Sequence, residues 1–484
     1  MQPISRRNVL VLGGIGAGCV LAGGASLTWA LTSGSSTVTG LELVEPKALR
    51  SVNGRLQVRL SAAERPVQIA GRNARALTYN GGLPGPTLFL RPGDRLNVTL
   101  DNGLSAATNL HVHGLHVSPQ GNSDNVLLAI DPGTSFDYEY RLPENHPPGV
   151  YWYHPHHHGS VADQLFGGLY GAIVVEDPDL IPISRERIMV ISDISLDSSG
   201  RVPATSPMDR MVGREGNLVL VNGQLNPQLA ARPAERERWR IINACASRYL
   251  RLRLDGQQLQ LLGIDSGRFS SPQDVDEVLL APGNRADLLV TTAHGTAVLR
   301  TLPVDRGTPA GMMGGGQASS AGADLATLDV SSDPAASPGP VPAQPAPRDL
   351  RTATVTARRE LTFAMGMGMG MGMGMGMMSF TIDGKPFDPA RVDTTVSAGA
   401  IEEWTLTNTS PMDHPIHLHV WPMQIIEQGG RAVDAAIWQD VVNVPARDSV
   451  RVRILFDDFT GKTVYHCHIL DHEDEGMMGI VEAR

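Results

Sequence analysis

The sequence predicts an all-β chain built from three related β-sandwiches, and three observations carry that prediction. Glycine (52) and proline (34) are plentiful in the 484 residues, while long helical periodicities are scarce, which favours short strands joined by turns. Polar and apolar residues alternate with the period of two that belongs to a half-buried strand. The alternation also recurs in three weak copies, in order. One runs from Asn80-Gly81 to R-P-G-D-R-L-N-V-T-L-D-N ending at Asn102. The next runs from Asn222-Gly223 to A-R-P-A-E-R-E-R-W-R-I-I-N ending at Asn243. The last runs from Asp383-Gly384 to V-S-A-G-A-I-E-E-W-T-L-T-N ending at Asn408. Each copy is followed by a second strand of like pattern: I-D-P-G-T-S-F-D-Y-E-Y, L-A-P-G-N-R-A-D-L-L-V and V-P-A-R-D-S-V-R-V-R-I-L-F. The length suits about three domains of roughly 150 residues.

Taken in order, the chain opens with S-R-R-N-V-L and a glycine-rich, mildly apolar run to about Thr32. Paired Arg6 and Arg7 before such a run resemble a twin-arginine export signal, so residues 1–40 are expected to be a leader and the protein periplasmic or extracellular. The same run could remain as an anchor; no other stretch is long and apolar enough to span a bilayer. The first sandwich is expected over 41–178, closing at V-V-E-D-P. The second is expected over 179–347, its last part a Gly/Ala/Ser/Pro-rich tract from about Gly307 that reads as a flexible linker. The third is expected over 348–484.

The net charge of −10 argues against nucleic acid or an anionic membrane surface as a partner. A monomer is expected. There are three cysteines, Cys19, Cys245 and Cys467; with Cys19 in the leader and Cys467 on a metal, a disulfide framework is not expected, and Cys245 in I-I-N-A-C-A reads as a small core residue.

The 15 histidines are unevenly spread: the second sandwich has only His294. Four clusters stand out: His111-Val-His113; His154-Pro-His156-His157-His158; His414-Pro-Ile-His417-Leu-His419; and His466-Cys467-His468 with His472. An H-x-H on a strand puts two imidazoles on one face; the proline in H-P-H restricts that pair to an edge strand or an irregular extended segment. Imidazole is the common ligand of copper and zinc. Zinc is disfavoured by so many imidazoles beside one thiolate and a placed methionine. His116 and His146 read as polar surface.

Near the C-terminus, H-C-H-x3-H-x4-M carries a distinct signal. On a strand, Cys467 faces away from His466 and His468, so the thiolate serves one metal and the imidazoles another. Two histidines, a cysteine and a distant methionine are the blue-copper ligand set. His472 and Met477 fit it, with one histidine still to come from elsewhere.

These four clusters, in this order, resemble the multicopper oxidases, and H-C-H-I-L-D-H-E-D-E-G-M-M is especially similar to bacterial copper-efflux (cuprous) oxidases. The likeness covers essentially the whole mature chain. It implies three cupredoxin-like Greek-key β-sandwich domains and four copper ions. By motif, His414, Cys467, His472 and axial Met477 match the type 1 ligands; His111 and His417 match type 2. His113, His154, His156, His419, His466 and His468 match the type 3 pair, and His158 is a candidate for the shell around them. The resemblance further implies oxidation of a substrate one electron at a time, coupled to four-electron reduction of O2 to water. Electrons would pass through Cys467 to His466 and His468. Asp124, in N-S-D-N, and Glu473, directly after His472, match the family's proton-relaying acids.

Between Met365 and Met378 the chain reads M-G-M-G-M-G-M-G-M-G-M-G-M-M, holding eight of its 18 methionines. Glycine at every second position excludes a core helix, at about 1 kcal/mol each. Thioethers are soft ligands that prefer Cu(I). Met365, Met367, Met369, Met371, Met373, Met375, Met377 and Met378 are therefore candidate substrate-copper ligands. Met412 joins them by family resemblance; Asp413 could assist, and Ser410 stands where the family has a carboxylate. The expected substrate is Cu(I), in copper detoxification. The alternatives are a laccase-type oxidase of phenols and aromatic amines, and a copper-sequestering envelope protein with no enzymatic role.

Overall fold

The computed structural model describes residues 40–307, 319–367 and 378–484; the leader and Met369–Met377 lie outside them. Among the described residues strand makes up 51% and helix 4%, so the all-β reading holds. Six large sheets pair into three sandwiches, with strands spanning Ala48–Val175, Arg185–Val330 and Ala357–Ala483. Each sandwich closes over its own apolar core.

The three sequence copies are the same object in space. Each turn has two consecutive residues at positive φ: Asn80 and Gly81 (55° and 77°), Asn222 and Gly223 (50° and 75°), Asp383 and Gly384 (51° and 72°). That is the conformation two-residue hairpins need and the reason for the Asn-Gly and Asp-Gly pairs. Each alternating strand, Arg95–Asn102, Arg236–Asn243 and Ile401–Asn408, lies parallel to an earlier strand and antiparallel to a later one. Each also ends in a buried asparagine that ties loop backbone together. Asn102 donates to the carbonyls of Ala106 and Ile130, Asn243 to those of Arg248 and Leu280, and Asn408 to those of Met412 and Val444. In the last two copies a buried tryptophan, Trp239 or Trp404, donates its indole N–H to the glutamate two residues earlier.

The Gly/Ala/Ser/Pro tract is not all linker. Ala323–Val330 is a strand, paired between Gln228–Ala231 and Gly295–Leu302 in the middle sandwich. Composition concealed it, because its buried face is made of Leu325, Ala326, Leu328 and Val330 amid small polar residues. The methionine run is likewise anchored at both ends: Met365 and Met367 close the strand Ala357–Met367, and Met378 opens Met378–Ile382, with Met367 and Met378 directly paired.

The outer sandwiches present their histidines from equivalent strand pairs. In the first, His111–His113 pairs antiparallel with Gly149–His154, setting His111 opposite His154. In the third, His414–Leu418 pairs with Gly461–Cys467, setting His417 opposite His466 and Ile416 opposite Cys467. The corresponding strands of the middle sandwich, Leu250–Leu254 and Gly295–Leu302, carry no histidine.

Candidate metal centre

Two buried clusters lie on opposite faces of the strand ending at Cys467, one within the third sandwich and one where the first and third sandwiches meet. On one side, Cys467 Sγ lies 3.4 Å from His414 Nδ1 and 3.8 Å from His472 Nδ1, and the two nitrogens are 3.4 Å apart. Atoms at these spacings can share one ion at the roughly 2 Å length of a metal–imidazole bond. Met477 is fully buried in the same core, and its backbone pairs with Cys467 N and His472 O.

The outward nitrogens explain why those three atoms face inward. His472 Nε2 is 3.1 Å from the carbonyl of Met211, in the short helix Pro207–Val212. A carbonyl can only accept, so the proton is on Nε2 and Nδ1 bears a lone pair. Phe380 stacks on the same ring at 4.4 Å. His414 Nε2 lies 2.6 Å from Ser410 Oγ, which spends its own proton on Asn408 Oδ1. His414 therefore also presents a bare Nδ1. Ser410, marked in the sequence only as a departure from the family, is what orients His414.

On the other side, eight buried imidazoles converge. His466 Nε2 lies 3.1 Å from His156 Nε2 and 3.2 Å from His419 Nε2. His154 Nε2 lies 3.4 Å from His113 Nδ1, with the His468 ring 5.1 Å from that of His113 and 5.8 Å from that of His154. His111 Nε2 and His417 Nε2 are 3.4 Å apart. The six histidines read as one set in the sequence thus separate into two triads, and the remaining two pair with each other. His154 is the last residue of its strand, so Pro155 lies just outside the ladder.

The outer nitrogens decide what several of these facing pairs are. His154 Nδ1 donates to Pro155 O, His466 Nδ1 to Cys467 O and His417 Nδ1 to Asp440 O, at 2.8, 3.0 and 2.7 Å. His111 Nδ1 is 3.0 Å from both oxygens of Asp124. With His113 Nε2 engaged by Asp440 Oδ1, both facing nitrogens of the His154–His113 pair are left as lone pairs, and His466 Nε2 and His417 Nε2 are bare as well, an arrangement that a cation between them stabilises. Burial, their largest cause, holds all these imidazoles in the neutral form that binds metal: His154 falls to about 3 and His417 to about 4, and the other six are lowered well below the usual range. His156 Nδ1, His419 Nδ1 and both nitrogens of His468 are buried without a hydrogen-bond partner. The donor set, soft on one side and all-imidazole on the other, fits copper.

The two acids bracket the imidazole cluster. Asp124 also accepts from Val112 N at 3.0 Å and lies 3.9 Å from His419 Nδ1; burial pushes its carboxyl up to about 8. Glu473 approaches His466 Nδ1 at 3.2 Å and His156 Nδ1 at 3.7 Å, yet neither of its oxygens has an aligned partner. Burial, then neighbouring Asp474, pushes it well upward.

Some residues fall elsewhere than expected. His158 is exposed, its ring edge-on to Phe387, rather than beside the cluster. His146 is buried, not surface: its Nε2 accepts from His116 N. His116 in turn sets Nδ1 3.0 Å from the carbonyl of Val420, a β-branched residue at φ 70° directly after His419. Such a backbone is strained, and the imidazole props it. Asp413 is committed to Asn443 and to Ala446 N. Cys245 is a buried free thiol, as expected.

Models of the multicopper oxidase family match residues 61–180, 193–298 and 351–484. The chain belongs to the multicopper oxidases. A multicopper oxidase from Campylobacter jejuni described as a metallo-oxidase superposes with a TM-score of 0.80 at 30% identity, over 92% of this chain and 95% of that one. The multicopper oxidase mco of Staphylococcus haemolyticus is 27% identical over 471 residues, 93% of each chain. Copper resistance protein A of Pseudomonas syringae pv. tomato is 29% identical over 299 residues, 51% of this oxidase and 48% of the relative. Multicopper oxidases hold four coppers, one type 1, one type 2 and two type 3, and pass electrons to O2.

Proposed function

We propose that this multicopper oxidase oxidises Cu(I) to Cu(II) outside the cytoplasm, after export through its twin-arginine-like leader. The observation that carries the reading is the covering of His472. Its ring has no exposure, its outer nitrogen is tied to Met211 O, and Phe380 lies flat on it. A planar phenol has no open ring edge to approach there, whereas a small cation can be delivered by thioethers. Met412 is buried two residues before His414, and Met365 packs against the same core. Phe380 is the cross-strand partner of Met365, so the hairpin that carries the methionine run is the one that covers His472. The relative named copper resistance protein A and the neighbour described as a metallo-oxidase are in keeping with this substrate.

The geometry supports the following ligand roles. His414, Cys467, His472 and Met477 would hold type 1 copper, and His111 with His417 type 2. His156, His419 and His466 would hold one type 3 ion, and His113, His154 and His468 the other. Copper, when bound, supplies one-electron acceptance and dioxygen reduction. The balance is four Cu(I), one O2 and four protons to four Cu(II) and two waters. Cys467, between His466 and His468, gives the electrons a covalent path. The buried carboxyls of Asp124 and Glu473 lie within 4 Å of ligand imidazoles and would hand on the protons.

The test is oxygen uptake with Cu(I) and with a phenol, on the wild type and on a chain in which 368–377 is replaced by a Gly-Ser loop. Those limits spare the paired strand ends. Loss of Cu(I) turnover with phenol turnover kept or raised is expected; unchanged Cu(I) turnover would remove the run from the substrate path.

A further inference from the structure

The middle sandwich supplies none of these ligands, yet it reaches the centre of the imidazole cluster. We propose that Arg285, acting through Asp440, is a positioning residue for the trinuclear copper site, selecting which nitrogen His113 presents. The inference rests on the ligand assignment above.

Asp440 precedes the strand Val441–Val444 in the third sandwich. Its Oδ1 lies 3.0 Å from His113 Nε2, and its backbone carbonyl accepts from His417 Nδ1 at 2.7 Å. One residue thus selects opposite tautomers in two histidines. With Nε2–H engaged, His113 turns Nδ1 toward His154; with Nδ1–H engaged, His417 turns Nε2 toward His111.

Asp440 is itself held by the middle sandwich. Arg285 grips both carboxylate oxygens, Nη1 to Oδ1 at 2.5 Å and Nη2 to Oδ2 at 2.7 Å. Its fork is planar, so gripping both oxygens fixes the plane of the carboxylate and aims Oδ1 at His113. Asp265 accepts from the backbone N–H groups of Asp440 and Val441, and Asn284 donates to Val441 O. Arg285 has no exposure, and its Nε donates to Val150 O in the first sandwich. All three sandwiches meet on this guanidinium.

Two glycines show how closely the parts fit. Gly114, after His113, has φ 83°, and a Cβ there would stand 2.3 Å from Arg285 Nη2. A Cβ on Gly283 would stand 2.9 Å from the His468 ring.

The test uses Asp440→Asn, Arg285→Met and Arg285→Lys, the last keeping charge but not the fork. Arg238→Met is the control, because it breaks a buried ion pair with Asp287 in the same sandwich, away from the cluster. Copper per chain, the blue band and the type 2 electron paramagnetic resonance signal are measured on loaded protein. Nitrogen-15 shifts of the histidines are measured on copper-free protein. The three test variants should keep the blue band, bind trinuclear copper 10- to 100-fold more weakly, and lose the single His113 tautomer. Arg238→Met should lower stability alone. Wild-type trinuclear affinity and an unchanged His113 tautomer in the variants that fold would overturn the inference, as would the same losses in Arg238→Met. A wild-type chain that binds no trinuclear copper would instead sink the ligand assignment.

Discussion

Cys467 separates two chemistries within one residue: its sulfur faces His414 and His472, and its chain neighbours face six other imidazoles. Cys467→Ser should therefore abolish the blue band and turnover together while leaving the trinuclear copper bound, which absorption and copper analysis would show. Asp124→Asn keeps an acceptor for His111 but cannot carry a proton as a carboxyl does. Its blue band should persist while oxygen consumption slows by about 10²-fold or more; unchanged consumption would take Asp124 out of the relay. Ser410 is the residue whose role the sequence concealed, because a serine in place of a carboxylate reads as a loss. In space it is the hydrogen-bond acceptor that fixes His414, so Ser410→Ala should broaden or shift the blue band without lowering copper content.

At the scale of elements, the recurring unit is a parallel-paired strand ending in an asparagine that bonds loop carbonyls. Asn243 is the instance in the sandwich that supplies none of the clustered histidines. Asn243→Ala strands the carbonyls of Arg248 and Leu280 in a buried place. A cost of about 2–4 kcal/mol is expected, read as a lower denaturant midpoint with the blue band unchanged. The three repeats were legible because each turn needs two residues at positive φ and each strand needs one apolar face. The strand Ala323–Val330 was not legible, since its small side chains match the composition of a linker. The short helix Pro207–Val212 left no periodic trace in six residues, and only its Met211 carbonyl gives it a role at His472.

At the scale of the molecule, the clusters make copper part of the stability. The buried histidines have folded-state values below the roughly 6.5 of an unfolded chain. For groups lowered in this way the stabilisation is present above the unfolded value and is lost as pH falls below it. His154, His414 and His417, at about 3, 3 and 4, would alone remove on the order of 5 kcal/mol from the copper-free protein by pH 5. Copper-stripped protein should thus unfold at much lower temperature at pH 5 than at pH 7, and the loaded form should change far less; calorimetry of both forms checks this.

The sequence by itself determined the all-β class, the threefold repeat and the residue types that converge, because turn conformations, strand alternation and ligand chemistry are local properties. The tertiary structure decided how six histidines divide into two triads, that Ser410 and Met211 orient His414 and His472, and that Arg285 reaches the cluster from a sandwich that contributes no clustered histidine. Apart from the Ser410–His414 bond, which spans four residues, those facts depend on which atoms meet across contacts more than a hundred residues apart in the chain. No local pattern encodes them, since a lone arginine or serine looks the same in sequence whether it faces water or a buried imidazole.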